Sequence, residues 1–291
     1  MNRLQIGDVR ITSIIERDGP WRVAETMFPG APPGAAHALL PAMDPRTYEA
    51  GTNKMVITYQ SFVVRTPHHV ILVDTCTGED KGYPAPMDYP KQPWLDGLAA
   101  EGLTVEDVDY VFCTHLHIDH CGWNTVLRDG RWVPTFPNAK YIFHKREYAY
   151  WEAQAKLGPI GNHKPEVFLM NCAPVMEAGQ AVLVDDDFSL DDCITIIPTP
   201  GHSPGHCCVN IASRGALAII TGDLMHHQLQ VNEPGWSTIF CADPEAATAS
   251  RLKIFGSVAD TADMLLPVHF PNPTAGRLRH TAQGFRWLFV D

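Results

Sequence analysis

The sequence predicts an α/β layered domain, and three observations carry that prediction. Apolar strand-like runs alternate with helical segments in both halves of the 291 residues. A strand–turn–strand outline occurs twice, as YQSFVVRT-PHH-VILVDT (59–75) and HCCVNIAS-RG-ALAIITGD (206–223), each closing on an aspartate, Asp74 and Asp223. Apolar residues make up 45% of the chain, which is enough for one large core, so we expect a single domain over 1–291.

The elements follow in order. MNRLQIGDVRITSIIERDG alternates apolar and polar residues like a pair of strands. Residues 20–53 are rich in Pro, Gly and Ala, which suits neither helix nor sheet, and this predicts a long ordered arm. Trp21, Met27, Phe28, Leu39 and Leu40 would be poor solvated coil, so the arm is expected to bury them against another surface, in a homodimer. After the first hairpin, PWLDGLAAEG (93–102) reads as a short helix opened by proline, and TVEDVDYVFCT (104–114) runs into a strand. KREYAYWEAQAK (145–156) has helical composition. CITIIPTP (193–200) reads as a strand closed by prolines, ADPEAATASRLKIFGSVA (242–259) as a helix with Asp243 as its N-cap, and MLLPVHF (264–270) as a short strand.

Composition removes several function classes. With 22 Lys plus Arg against 33 Asp plus Glu the formal charge is −11, and no basic block is present, so nucleic acid is not an expected partner. No window reaches eighteen consecutive apolar residues and the N-terminus lacks the apolar segment of a secretory signal; no membrane association and a cytoplasmic location are the expectations. Eight cysteines without a CxxC pair give neither a zinc ribbon nor a disulfide framework and are expected as small buried thiols, with Cys121 a minor ligand candidate because it adjoins His120.

The chemistry concentrates in THLHIDHCGWN (114–124), where His115, His117, Asp119 and His120 directly follow an apolar run. Alternate side chains of an extended segment share a face, so His115 and His117 can face one metal while the following turn redirects Asp119 and His120 toward another. Each half-site needs further ligands, since zinc takes about four. His202 in TPGHSPGH, Asp223 in TGDLMHH and His269 in LPVHFP stand where apolar strands end, flanked by Gly or Pro.

HLHIDH, GHSPGH, TGD and the histidine of LPVHFP, in that order, resemble the metal-binding set of the metallo-β-lactamase superfamily over about residues 55–275. The resemblance implies an αββα sandwich of two βα halves with an N-terminal arm. It implies two divalent ions, zinc first, with manganese, cobalt or iron as alternatives. His115, His117 and His202 would take the first ion and Asp119, His120 and His269 the second, with Asp223 shared. Water held between two such cations becomes a hydroxide nucleophile near neutral pH. By the same resemblance Asp119 would pass a proton to the leaving group, Asp74 would orient a ligand imidazole, and His206 would brace a ligand loop.

Within that superfamily the chain is least like the dizinc β-lactamases, which carry Cys where Asp223 stands. The stretch after His269 is expected to be too short for the basic C-terminal region of glyoxalase II, and the acidic charge without a basic patch opposes the RNA-processing members. The arm and length look more like the N-acyl homoserine lactone lactonases and methyl parathion hydrolases. The implied function is a dinuclear hydrolase opening a lactone or cleaving a related carboxylic ester, with phosphotriester hydrolysis or an iron-dependent redox role as alternatives. In the lactonases a tyrosine commonly stands three positions after the shared aspartate; here that position is His226, assigned to contact the substrate carbonyl or move a proton. Trp123, Met225, Trp236 and Phe270, which adjoin ligand segments, and Phe28 from the arm are the expected pocket wall.

Overall fold

The computed structural model describes residues 3–52, 54–82, 91–158 and 165–290. Strands β1 (Leu4–Ile6) and β2 (Val9–Val23) form the opening antiparallel pair. Helices α1 (Ala24–Met27) and α2 (Ala35–Leu39) and the two-residue strand β3 (Tyr48–Glu49) lead into β4 (Lys54–Arg65), which pairs with both β2 and β3. β5 (Val70–Val73) closes the first hairpin. Helix α3 (Trp94–Ala100) then crosses to β6 (Tyr110–Phe112), parallel to β5. A small hairpin, β7 (Thr125–Arg128) and β8 (Arg131–Pro134), precedes β9 (Lys140–His144), α4 (Lys145–Leu157), α5 (Pro165–Asn171), α6 (Ala173–Glu177) and β10 (Ala181–Val184). The first sheet runs β1-β2-β4-β5-β6-β9-β10 with β3 beside β4.

The second half repeats the scheme. β11 (Ser189–Leu190), β12 (Ile194–Pro198), β13 (Cys207–Ser213) and β14 (Ala216–Ile220) are antiparallel, α7 (Leu229–Asn232) and α8 (Pro244–Val258) follow, and β15 (Met264–Leu266) returns parallel to β14. β16 (Gly276–Thr281) and β17 (Gly284–Phe289) complete a sheet ordered β11 to β17. In each half a hairpin is followed by a parallel strand beside its second arm, which is the repeat expected from the sequence.

Strand alternation explains the layering. Phe62, Val64, Ile71 and Val73 point inward to meet Val209, Ile211, Ala218 and Ile220 of the other sheet, whereas Val63 and Leu72 point outward under Trp94, Leu98 and Tyr148. On the far side Ile219 and Leu265 pack under Ile254, Phe255 and Val258 of α8. Helices thus cover the outer face of both sheets, giving the αββα sandwich. Asp243 caps α8 as expected, its carboxylate accepting from the Ala246 amide at 2.9 Å.

The arm departs from expectation in two ways. Residues 20–23 extend β2 instead of leaving the sheet, and Pro20 is accommodated beside a register shift between Pro20 and Arg22. The remainder folds back on its own chain: Met27, Phe28 and Leu40 are buried with Met55, Ile57, Leu229 and Trp236. Trp21 and Leu39 are partly buried against the same cluster, so little of the apolar surface of these five residues is left to drive dimerisation through the arm. Asn53, its last residue, lies outside the described residues. No helix among the described residues is long and apolar enough to cross a membrane.

Candidate metal centre and its cavity

Every ligand candidate comes from a segment that leaves the end of a strand. β6 delivers 115–120, β12 delivers His202, β14 delivers Asp223 and β15 delivers His269. Gly222 allows the sharp exit after β14: its φ is +49°, and a Cβ there would come 2.6 Å from His206 Nε2 and 2.7 Å from Thr114 Oγ1. Asp74, with φ +59°, turns the chain at the matching point after β5.

The seven side chains converge as two groups around one carboxylate. His115 Nε2 and His202 Nε2 each lie near His117 Nδ1, at 3.0 and 2.8 Å, and Asp223 Oδ2 is 3.5 Å from His115 Nε2 and 2.9 Å from His202 Nε2. Asp223 Oδ1 faces the other way, 3.0 Å from His120 Nε2 and 2.9 Å from His269 Nε2, with Asp119 completing that side at 3.7 and 3.8 Å. A tetrahedron of ligands 2.0–2.1 Å from a zinc ion has edges of about 3.3 Å. Both groups match that spacing, and each could hold one ion.

The outer nitrogens show why hydrogen bonding alone is a poor account of this cluster. His120 Nδ1 donates to Asp74 Oδ2 at 2.9 Å and His269 Nδ1 to the Thr58 carbonyl at 2.8 Å, so both Nε2 atoms aim inward. His120 Nε2 and Asp223 Oδ1 are buried without a hydrogen bond of acceptable geometry. Without an ion, burial pushes these imidazoles toward neutrality, but the charge and hydrogen bonds of Asp223 together with those of neighbouring groups outweigh it at His120, at His269 and at His202, which rises to about 9. Burial likewise opposes ionisation of Asp223, and the surrounding histidines hold it well below the usual carboxylate range. The donor set fits two divalent cations.

Around the cluster, Asp74 also accepts from the Thr114 amide and hydroxyl, fixing the start of the histidine loop. His206 accepts from the Asp223 amide at 2.9 Å while its other nitrogen meets Thr199, which links the turn after β14 to the end of β12. Cys121 donates to the His117 carbonyl at 3.1 Å and is outside both groups; Cys193 and Cys241 are only partly buried, the other six cysteines fully. Replacing Asp74 by Asn should weaken metal binding by about 10–100-fold by releasing His120. Chelator competition measures this, and wild-type affinity would remove the orienting role.

The cluster opens on a cavity of about 170 Å³ walled by Met27, Ile57, Leu116, Ile118, Trp151, Val167 and Phe240, with Arg22, Tyr59, Asp119 and His226 as polar members. The wall expected from the sequence is a correction. Phe28 and Trp236 pack together beneath the arm, Trp123 stacks on Trp94, and Met225 and Phe270 lie in the core under α8. None of the five is among the residues that line the cavity. His226 does line it: Nε2 is 3.0 Å from Asp223 Oδ2 though poorly aligned for a hydrogen bond, the ring lies parallel to His269 at 5.0 Å, and Nδ1 has no hydrogen-bond partner.

Glu147, in the first turn of α4, was not singled out by the sequence. Its Oε1 accepts from the Leu116 amide and the Trp151 indole, and its Oε2 from the Ser203 hydroxyl and the Gly205 amide, which ties the two histidine loops together. Glu147→Ala strands several buried donors and should cost about 3 kcal/mol or more in urea unfolding. An unchanged midpoint would refute that bracing. Only a lone acidic residue at a helix start marked it in sequence, and that pattern is common.

Comparisons with known proteins agree with this geometry. N-acyl homoserine lactonase AttM of Agrobacterium fabrum (strain C58) is 32% identical over 122 residues, covering 40% of this chain and 40% of that protein. The chain therefore aligns with less than half the length of that relative. Among solved structures, "hydrolase AbOPH in beta lactamase superfamily" superposes with a TM-score of 0.83 at 24% identity, covering 99% of this chain and 97% of that one. AidC, described as a dizinc quorum-quenching lactonase in complex with a product, gives 0.80 at 21% identity, covering 100% and 98%. These two likenesses establish the fold. The family model of the metallo-beta-lactamase superfamily matches residues 58–269, the span that holds both hairpins and all seven converging side chains, and the chain belongs to that superfamily.

Proposed function

We propose that the protein is a dinuclear metal-dependent hydrolase that opens a lactone or cleaves a related carboxylic ester, with N-acyl homoserine lactones the first substrates to assay. The observation that carries this reading is the Asp223 carboxylate, whose two oxygens face separate ligand groups at the floor of a mainly apolar cavity. The lactonase names among its relatives support the substrate class.

Two divalent ions, zinc first, would be held by His115, His117 and His202 and by Asp119, His120 and His269, with Asp223 shared, and would supply an activated water and polarise the scissile carbonyl. The residues do the rest. Asp74 and the Thr58 carbonyl hold the His120 and His269 rings in place. Asp119, the most exposed of the set, borders the cavity and in this reading would return a proton to the alkoxide as the acyl C–O bond breaks. His226 offers an N–H to the carbonyl oxygen. The apolar walls seat an acyl chain and exclude water.

A panel of N-acyl homoserine lactones, aryl esters and phosphotriesters, assayed with zinc, cobalt and manganese forms, tests the reading. Lactone or ester turnover that needs two equivalents of metal is the expected result; turnover of phosphotriesters alone would replace it. A cytoplasmic homodimer remains our expectation, with the dimer contact now sought outside the arm. Light scattering at high concentration decides it.

A further inference from the structure

Arg22 occupies an unusual place on the cavity wall. Pro20 pairs with Val56 but Arg22 pairs with Met55, so β2 carries one extra residue, Trp21, at this point. Without that bulge Arg22 would stand opposite Lys54 and face away from Ile57 and Tyr59. The bulge turns it to their side, onto the cavity. The guanidinium lies 4.5 Å from the Trp21 ring and 5.3 Å from the Phe240 ring, and the Tyr59 hydroxyl is its polar neighbour. Phe240 in turn lies 6.3 Å from the His226 ring and Tyr59 lies 5.5 Å from the His269 ring, so one aromatic ring separates Arg22 from the cluster on each side.

Arg22 is the one Lys or Arg among the lining residues, and no carboxylate pairs with it among the described residues. Aromatic faces shed water from the cation without neutralising it, and its planar fork of donors matches a carboxylate. We propose that Arg22 is a specificity-determining residue that binds a carboxylate at the end of the substrate remote from the scissile bond, so that the preferred ester or lactone is an anionic one. A phosphate would call for more donors than this single cation and a tyrosine supply, and a neutral amide carbonyl would use only one arm of the fork. The assignment rests on the hydrolase reading for the word substrate, but the carboxylate subsite itself can be tested by binding alone.

The test is calorimetry on metal-loaded protein with the α,ω-dicarboxylates from glutarate to azelate and the monocarboxylates of equal length. In the wild type, at one chain length, the diacid should bind about 10–100-fold more tightly than its monoacid, the range for a hydrogen-bonded ion pair. In Arg22→Met that ratio should collapse to below about threefold, and Arg22→Lys should keep part of it because the charge remains without the fork. Circular dichroism and thermal unfolding show that both variants are folded. A ratio near one at every length in the wild type, or a ratio untouched by Arg22→Met, overturns the proposal. Activity then separates the two readings. If no ester or lactone is hydrolysed, the proposed function fails while the diacid ratio still decides Arg22. If neutral lactones turn over and the ratio is one, the hydrolase stands and Arg22 falls.

Discussion

Asp223→Ala is expected to lower bound metal from two ions toward one and to reduce turnover by more than about a thousandfold, because the reaction as proposed needs two cations held close together. The geometry makes this residue different from the other six. In the proposed two-ion arrangement each of the five ligand histidines serves one ion, but Asp223 Oδ1 sits about 3 Å from His120 and His269 while Oδ2 sits as close to His202. Removing it opens both groups at once and leaves the inward-facing Nε2 atoms without their shared acceptor. Asp223→Asn keeps the shape but halves the acceptor capacity, so it should retain one ion better than Ala while remaining nearly inactive. Elemental analysis of purified protein reads the first quantity and steady-state kinetics the second. Two bound ions with undiminished turnover in Asp223→Ala would mean that the carboxylate is not shared, and the dinuclear reading would lose its central residue.

How much of this was legible beforehand depended on whether the signal was local. The histidine loop could be read because its spacing and the strand before it lie in one continuous stretch, and the hairpins because period-two alternation fixes which face each residue takes. The cap at Asp243 was legible for the same reason. The cavity was not. Its walls come from a bulge in β2, from the buried faces of α4 and α5 and from residue 240, segments far apart in sequence. Nearness to a ligand segment was the rule used for Trp123, Met225 and Phe270, and it failed because the chain turns sharply where it leaves the strand ends, so the direction of a ligand does not fix that of a residue one to three positions on: Trp123 stacks on Trp94, and Met225 and Phe270 join the core under α8. The arm was misjudged through composition. Pro, Gly and Ala disfavour regular structure on average, yet Pro20 needs no partner for its missing N–H beside a bulge, so the sheet continues through it to Val23.

His226→Ala should lower kcat by about ten- to a thousandfold on the best lactone or ester, the range expected when one electrophilic or proton-transferring group is lost, while both metals stay bound. Its surroundings favour the neutral imidazole. Burial lowers its pKa to about 4, and the opposing Asp223 charge does not restore it. A neutral ring has one N–H; Nε2 lies against Asp223 Oδ2, the carboxylate assigned to the metal ions, and Nδ1 has no hydrogen-bond partner, so the N–H is the group proposed to meet a carbonyl oxygen in the cavity. The backbone is fixed independently: the His226 amide donates to Gln230 Oε1 at 2.7 Å, so truncating the side chain should leave the loop in place. His226→Phe should resemble His226→Ala, since size without a donor does not restore the contact, and His226→Tyr is expected to recover lactone turnover selectively because its hydroxyl again offers a hydrogen to the carbonyl. A competing role has its own signature. His226, Asp223 and His269 also lie close enough together to hold an ion, and loss of metal in His226→Ala would assign the ring to the centre itself. Unchanged kcat with both metals present would leave it an ordinary loop histidine, and the carbonyl contact would have to be sought at another donor on that wall, Tyr59 first because its ring lies 5.5 Å from that of His269.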